Sequence, residues 1–254
     1  SMKNKLILAL SGNDIFSGGG LHADLATYTV HGLHGFVAVT CLTAMTDKGF
    51  EVLPTDEQIF AQQLSSLKDV PFSAIKLGLL PTVAIADQAL EFIKKQAGIP
   101  VVLDPVLVCK ETHDVEVSAL RDELIKFFPY TTIITPNLPE AEILIQSDIK
   151  TLDDLKAAAV ALYELGAQNV VIKGGNRFSQ DQAIDLFYDG KDFQLLESPV
   201  LPNNNTGAGC TFASSIASQL LAGQSPLEAV NYSKDFVYRA IQRSDQYGVI
   251  QYEK

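Results

Sequence analysis

Leu6-Ile7-Leu8-Ala9-Leu10-Ser11-Gly12-Asn13-Asp14-Ile15-Phe16-Ser17-Gly18-Gly19-Gly20 opens with an unbroken apolar run, stops at a serine and a glycine, and enters a glycine-rich loop. A strand with one wet face would alternate, so the unbroken run predicts a strand buried on both faces. Residues 21–30 follow at helical spacing, and the unit reads strand, glycine loop, helix. The same alternation continues down the chain. Strands are predicted at 36–43, 74–78, 101–106, 132–137 and 170–175, and helices at 56–67, 83–96, 117–128, 139–145, 152–165 and 213–221. Residues 44–49 read as a turn, Gly98 with Pro100 and Gly166 read as helix stops, and Thr55 or Asp56 reads as a cap. Buried strands alternating with helices imply a three-layer α/β fold, a mainly parallel central sheet with helices on both faces. Residues 184–188 and 193–197, joined by Asp189-Gly190-Lys191-Asp192, break the pattern and predict an antiparallel edge hairpin. No linker or repeat interrupts residues 1–254, so one domain is expected.

The composition narrows the function classes. Of 254 residues, 47% are hydrophobic and 19% charged, enough to build a sizeable core. Thirty acidic against 19 basic residues give a net charge of -11, which argues against nucleic acid or an anionic membrane as partner. A phosphate is still acceptable, since a few local donors hold one inside an acidic protein. Cys41, Cys109 and Cys210 lie far apart without metal-type spacing, as expected of free thiols in a reducing compartment. Ser1 before Met2 reads as a tag remnant, and the run at 6–10 is too short for a signal-peptide core. A cytoplasmic enzyme or binder is expected.

Ligands of an open parallel sheet sit beyond the carboxyl ends of its strands. Those ends supply Asn13 and Asp14, Met45, Lys76 and Gly78, Asp104, Asn137 with Glu140, and Lys173 with Gly174 and Gly175. Asn205-Thr206-Gly207-Ala208-Gly209-Cys210-Thr211-Phe212 adds a glycine turn running into a helix. The first N–H groups of such a helix have no partner within it and carry its positive dipole end, so Gly207 and Gly209 suit an anion. The same dipole should lower the Cys210 pKa and favour a thiolate base. Glu140 and Asp104 are hard oxygen donors suited to Mg2+, with Asn137 orienting a water or phosphate. Each residue also has a plainer reading: Asp14 and Asn137-Glu140 as helix caps, Asp104 as a turn residue, Lys173 as a solvated lysine, Cys210 as core.

Gly12-Asn13-Asp14 with residues 17–24, Asp104-Pro105-Val106, Thr135-Pro136-Asn137-Leu138-Pro139-Glu140-Ala141, Lys173-Gly174-Gly175 and Gly207-Ala208-Gly209-Cys210-Thr211 resemble, in order, the motifs of the hydroxymethylpyrimidine phosphate kinases, members of the ribokinase-like superfamily. Ala44-Met45, residues 76–82 and residues 106–110 look closer to the branch that acts as pyridoxal kinase. The resemblance implies a homodimeric ATP-dependent kinase of pyridoxal and related B6 vitamers, with the hydroxymethylpyrimidine kinase reaction as the alternative. A non-catalytic vitamin or nucleotide binder is a further reading. It implies that Asn137, Lys173, Gly174, Gly175, Asn176, Arg177, Asp185 and Gly209 line the ATP site and that Glu140 serves Mg2+. It also implies that Asp14, Met45 and Gly78 belong to the vitamin pocket. Cys210 stands where relatives use an aspartate base, and residues 109–114 are expected to form a lid from which Cys109, with Cys210, meets the substrate aldehyde. The chain departs from the pattern at Ile15-Phe16, at Ser17 and at Asn205-Thr206.

Overall fold

The computed structural model describes residues 4–96, 98–107 and 114–253. Its centre is an eight-stranded sheet. The strands are β1 (Leu6–Ser11), β2 (His34–Val39), β5 (Ala74–Leu77), β6 (Val101–Leu103), β7 (Ile133–Ile134), β8 (Val170–Lys173), β9 (Gln182–Tyr188) and β10 (Phe193–Pro199). Their spatial order is β10-β9-β8-β7-β6-β5-β1-β2. All pairings from β2 across to β8 are parallel, while β9 runs antiparallel to β8 and to β10. This is the expected sheet with its antiparallel edge hairpin.

Strand parity divides the core in two. Leu8 and Leu10 of β1 face one apolar layer, whereas Ile7 and Ala9 face the other. The first layer is covered by α2 (Glu57–Leu67), α3 (Val83–Lys94), α4 (Asp114–Ile125), α5 (Leu138–Ile145) and α6 (Leu152–Glu164). The second is covered by α1 (Gly20–Val30), α7 (Ala208–Leu221) and α8 (Pro226–Gln242). No helix among the described residues is long and apolar enough to cross a membrane.

Four expected spans need correction, and one helix was missing from the expectations. Residues 36–43 are not one strand: β2 ends at Val39, and after Thr40 the chain leaves the sheet as β3 (Cys41–Thr46). Residues 44–49 are therefore mostly strand, and β3 pairs antiparallel with β4 (Gly49–Pro54) in a separate two-stranded hairpin. Thr40 makes the break, its N–H bonding back to Ser11 and its hydroxyl donating to the Leu79 carbonyl at 2.7 Å, which turns the next residues away from β1. The strands at 101–106 and 132–137 are shorter than read, because pairing stops at Leu103 and Ile134 and the polar residues beyond are left at the sheet's end. Finally, α8 was not anticipated, although Ser225 and Glu228 form a capping box with Pro226 in its first turn.

The order of strands also locates a crevice. The chain runs from β1 outward to β2, then returns to β5 on the other side of β1. Beyond the carboxyl ends of β1 and β5 the connections diverge, which is where an open α/β sheet takes its ligands.

Candidate active site

Two glycine loops meet at this crevice. After β1 the loop folds on Asp14, whose carboxylate accepts from the Phe16 and Gly19 N–H groups, each at 3.0 Å. Asp14 is thus a brace of its own loop and not the cap of α1, whose capping residue, Gly19, makes no side-chain cap bond. α7 likewise begins without a side-chain cap, at Gly207 with φ 87°. A Cβ on Gly207 would collide with the Gly18 carbonyl, so the two loops touch backbone to backbone. The N-termini of α1 and α7 consequently lie beside each other; on α1 the Gly19, Gly20 and Leu21 N–H groups are taken by Asp14, the Cys210 sulfur and the Gly12 carbonyl, whereas on α7 only Ala208 is taken, by the Asn205 carbonyl, which leaves Gly209 and Cys210 donors for an outside acceptor.

Cys210 is the third residue of α7 and half-buried. Its sulfur lies 3.7 Å from the place a Cβ on Gly19 would take, and the Gly20 N–H reaches it. The helix-dipole argument predicted a lowered pKa. Burial instead pushes the thiol above its ordinary value, with Lys76 pulling it down and Asp24 and Asp104 pushing it up. The dipole is a surface-scale effect and loses here to desolvation.

Opposite α7, the ends of β6, β7 and β8 bring together Asp104, Asn137, Glu140 and Lys173. The Lys173 Nζ lies 3.3 Å from where a Cβ on Gly209 would stand, so the ammonium reaches the N-terminus of α7. Burial works against that ammonium, but Asp104, Glu140 and Asp185 outweigh it and hold its pKa above the ordinary lysine value. Asn137 bridges Lys173 through the backbone and caps α5 in a reciprocal box: its side chain accepts from the Glu140 N–H at 2.9 Å, and Glu140 accepts from its N–H at 3.0 Å. The cap reading of this pair is therefore correct locally. Glu140 is also only 4% exposed, and burial, followed by repulsion from Asp104, raises its pKa to about 7. Burial raises Asp104 too. Two buried carboxylates whose charge is disfavoured are a donor set that fits a hard divalent cation, which would relieve both penalties.

Asp185 sits behind this wall. It accepts from the Gly174 N–H at 3.2 Å, a donor shared with the Ile184 carbonyl at 2.9 Å, and is held by Lys234 of α8 at 2.8 Å, so its carboxylate helps to hold the turn after β8. A Cβ on Gly174 would collide with the Ile184 carbonyl, while Gly175 has φ 55°. Asn176 is exposed, and the Arg177 guanidinium is drawn to Glu142 at 3.2 Å and the Ile149 carbonyl at 3.1 Å, away from Lys173.

Against the two glycine loops, through Asp14 and Thr206, lies a cavity of about 790 Å³ also walled by Phe16, Phe50, Val106 and Tyr247, among others; Cys210 is not in its lining. Phe16 and Phe50 stack with centroids 6.4 Å apart. Met45 shares the face of its cross-strand partner Phe50 but stands exposed near the hairpin tip. Gly78 is buried against Lys76 and Ser11 and is not in the cavity lining, which Leu79 and Pro81 reach instead. Cys109 and the rest of 108–113 lie outside the described residues. Sequence reasoning did not single out Phe50, Lys234 or Tyr247. They come from the hairpin, α8 and the segment after it, and the cap at Ser225 was the available signal for the second of these.

The chain matches the family model described as phosphomethylpyrimidine kinase over residues 14–253. It is 38% identical over 247 residues to a pyridoxine kinase of Bacillus subtilis, covering 93% of this chain and 90% of the relative. Its fold is similar to that of the pyridoxal kinase from Staphylococcus aureus in complex with AMP-PCP and pyridoxal, with a TM-score of 0.89 at 34% identity over 98% of this chain and 93% of that one. It is also similar to a phosphomethylpyrimidine kinase from Clostridium difficile, with a TM-score of 0.78 at 31% identity over 93% and 99% of the two chains.

Proposed function

The chain belongs to the phosphomethylpyrimidine kinase family, and within it we propose that this ATP-dependent small-molecule kinase phosphorylates the primary alcohol of pyridoxal and related B6 vitamers. The observation that carries a phosphoryl transfer is the open N-terminus of α7 at Cys210, set against the glycine loop after β1, with Lys173 reaching the same point. The greater likeness to the pyridoxal complex than to the phosphomethylpyrimidine kinase supports the vitamer.

The cavity has room for the flat ring between Phe16 and the wall by Val106, and the alcohol would leave it past Thr206 toward the start of α7. The Cys210 thiolate takes the hydroxyl proton. The freed oxygen attacks the γ-phosphorus in line, the bond to the β–γ bridging oxygen breaks, and ADP leaves with those electrons. Lys173 and the N–H groups of Gly207 and Gly209 hold the charge that spreads over the transferring oxygens. Glu140 and Asp104 would hold Mg2+, which supplies charge neutralisation on the phosphates. Asn137, Gly174 and Gly175 bound the nucleotide side, with Asp185 helping to hold their turn.

A second reading keeps the chemistry and exchanges pyridoxal for hydroxymethylpyrimidine or its phosphate, as the family description itself suggests. Turnover of ATP against pyridoxal, pyridoxine, pyridoxamine and hydroxymethylpyrimidine separates the two. We expect the highest kcat/KM with a B6 vitamer. A preference for the pyrimidine would replace the first reading by the second, and no ADP release with any substrate would remove both. Cys210→Ala should lower kcat by about 100-fold to 10,000-fold, the usual worth of a positioned base.

A further inference from the structure

Lys76 is among the largest side chains with no solvent exposure in the chain, and it points the wrong way for a lysine. On β5 its neighbours Ile75 and Leu77 face the α2–α6 layer, which turns Lys76 into the layer of α1 and α7. There its ammonium lies 2.7 Å from Asp24 of α1, and both side chains are fully buried. The same Asp24 oxygen accepts from the Ser214 hydroxyl at 2.5 Å. Ser214 is four residues beyond Cys210 on α7, hence one turn along the same helix face. The Lys76 Nζ also lies 3.0 Å from where a Cβ on Gly78 would stand, at the carboxyl end of its strand. A buried ion pair is a poor source of stability, since desolvation consumes most of the Coulomb gain. Its place one turn along α7 from the thiol, through Ser214, therefore asks for another role.

We propose that Lys76 is a positioning residue for the base: pinned by Asp24, and through it to Ser214, its ammonium turns the positive end of the pair toward Cys210 and supports the thiolate there. This rests on the reading of Cys210 as the base under Proposed function. The groups facing the thiol are Lys76 from β5, Asp24 and Tyr28 from α1, Asp104 after β6, Lys173 from β8 and Asp14 by Gly19. Burial opposes the thiolate first, and Lys76 is the strongest influence in its favour, ahead of the opposing Asp24 and Asp104. The pair is neutral as a whole, so its effect on Cys210 follows from which end is nearer. Asp24 in turn offsets the burial of Lys76 and keeps it charged.

The test reads the thiol apart from turnover. The pH dependence of Cys210 alkylation by iodoacetamide, followed on its own peptide by mass spectrometry, gives the thiol midpoint in the full chain. Lys76→Met should raise that midpoint by about one pH unit or more, leaving about tenfold less thiolate at a fixed pH below it. The acid limb of the kcat profile should move with it while the KM for ATP stays. Because Lys76→Met strands Asp24, the double variant Asp24→Asn with Lys76→Met removes the stranded charge; it also removes an opposing charge, so its midpoint should rise by less than in Lys76→Met, with folding checked by circular dichroism. Lys76→Arg should restore the midpoint. An unmoved midpoint in the folded double variant overturns the proposal, as does a lowered alkylation rate at every pH with no shift, which is what a merely structural role gives. A shifted midpoint together with full turnover in Cys210→Ala would uphold the role of Lys76 toward the thiol and sink Cys210 as the base instead.

Discussion

Glu140 shows how one side chain serves a helix and a site together. Its carboxylate accepts the Asn137 N–H to close the cap of α5, yet it is buried next to Asp104, and its pKa rises to about 7. A folded state that holds a proton the unfolded chain has released loses stability as pH rises. The window runs from the ordinary glutamate value of 4.5 up to about 7. In metal-free buffer the unfolding free energy should therefore fall across that window by at most about 1.4 kcal/mol per pH unit from this group. Asp104, raised by burial, adds in the same direction. Glu140→Gln should flatten the decline, measured by urea unfolding at half-unit pH steps. An equally steep decline in the variant would mean that Glu140 is already ionised in the folded protein.

At the scale of elements, what could be read in the sequence was what the backbone dictates. The apolar runs of β1 and β8, the glycines before α1 and α7, and the polar residues closing the strands follow from burial and from φ, so their places were legible. The β3–β4 hairpin was not, because Thr40 is β-branched and at home inside a strand, so the run from Phe36 to Thr43 reads as unbroken until a tertiary contact, the Thr40 hydroxyl on the Leu79 carbonyl, turns it. α8 was legible from its capping box and went unread, and with it the partner of Asp185. That omission matters for the site. Lys234 is 12% exposed in its side chain, as is Asp185, so Lys234→Met leaves a largely buried carboxylate that also holds the Gly174 N–H. A loss of up to about 3 kcal/mol is expected, at the low end for breaking a buried pair because some solvent reaches it. The KM for ATP should rise, since the turn after β8 loosens. Adding Asp185→Asn should recover stability but not ATP binding. Unchanged ATP kinetics in both variants would show that this turn does not touch the nucleotide.

On the scale of the whole molecule, the chain's end closes what its beginning opens. The segment after α8 crosses behind both glycine loops: the Val249 N–H donates to the Thr206 carbonyl at 3.0 Å, and Asn204 donates to the Asp245 and Gln246 carbonyls, each at 3.1 Å. Gln251 donates to the Thr211 hydroxyl at 3.1 Å, just after Cys210. A Cβ on Gly248 would stand 2.7 Å from the Thr206 carbonyl and 3.0 Å from the Gly18 Cα, so the segment is wedged against both loops at once. Yet it belongs to no strand of the sheet, and of its residues only Val249 joins the buried apolar core. Stability and activity should therefore separate here. A chain ending at Ser244 keeps the sheet and both helical layers, and its circular dichroism should match that of the full chain, with melting lowered by roughly 10 °C or more for the handful of bonds lost at about 1 kcal/mol each. Turnover should fall by roughly 100-fold, the cost of moving aligned groups by about 1 Å. Gly248→Ala should show the same split in milder form, because its methyl group pushes the Thr206 carbonyl and Gly207 with it. Full turnover in the shortened chain would mean that the two glycine loops hold their own geometry, and that the meeting of α1 and α7 alone sets the site.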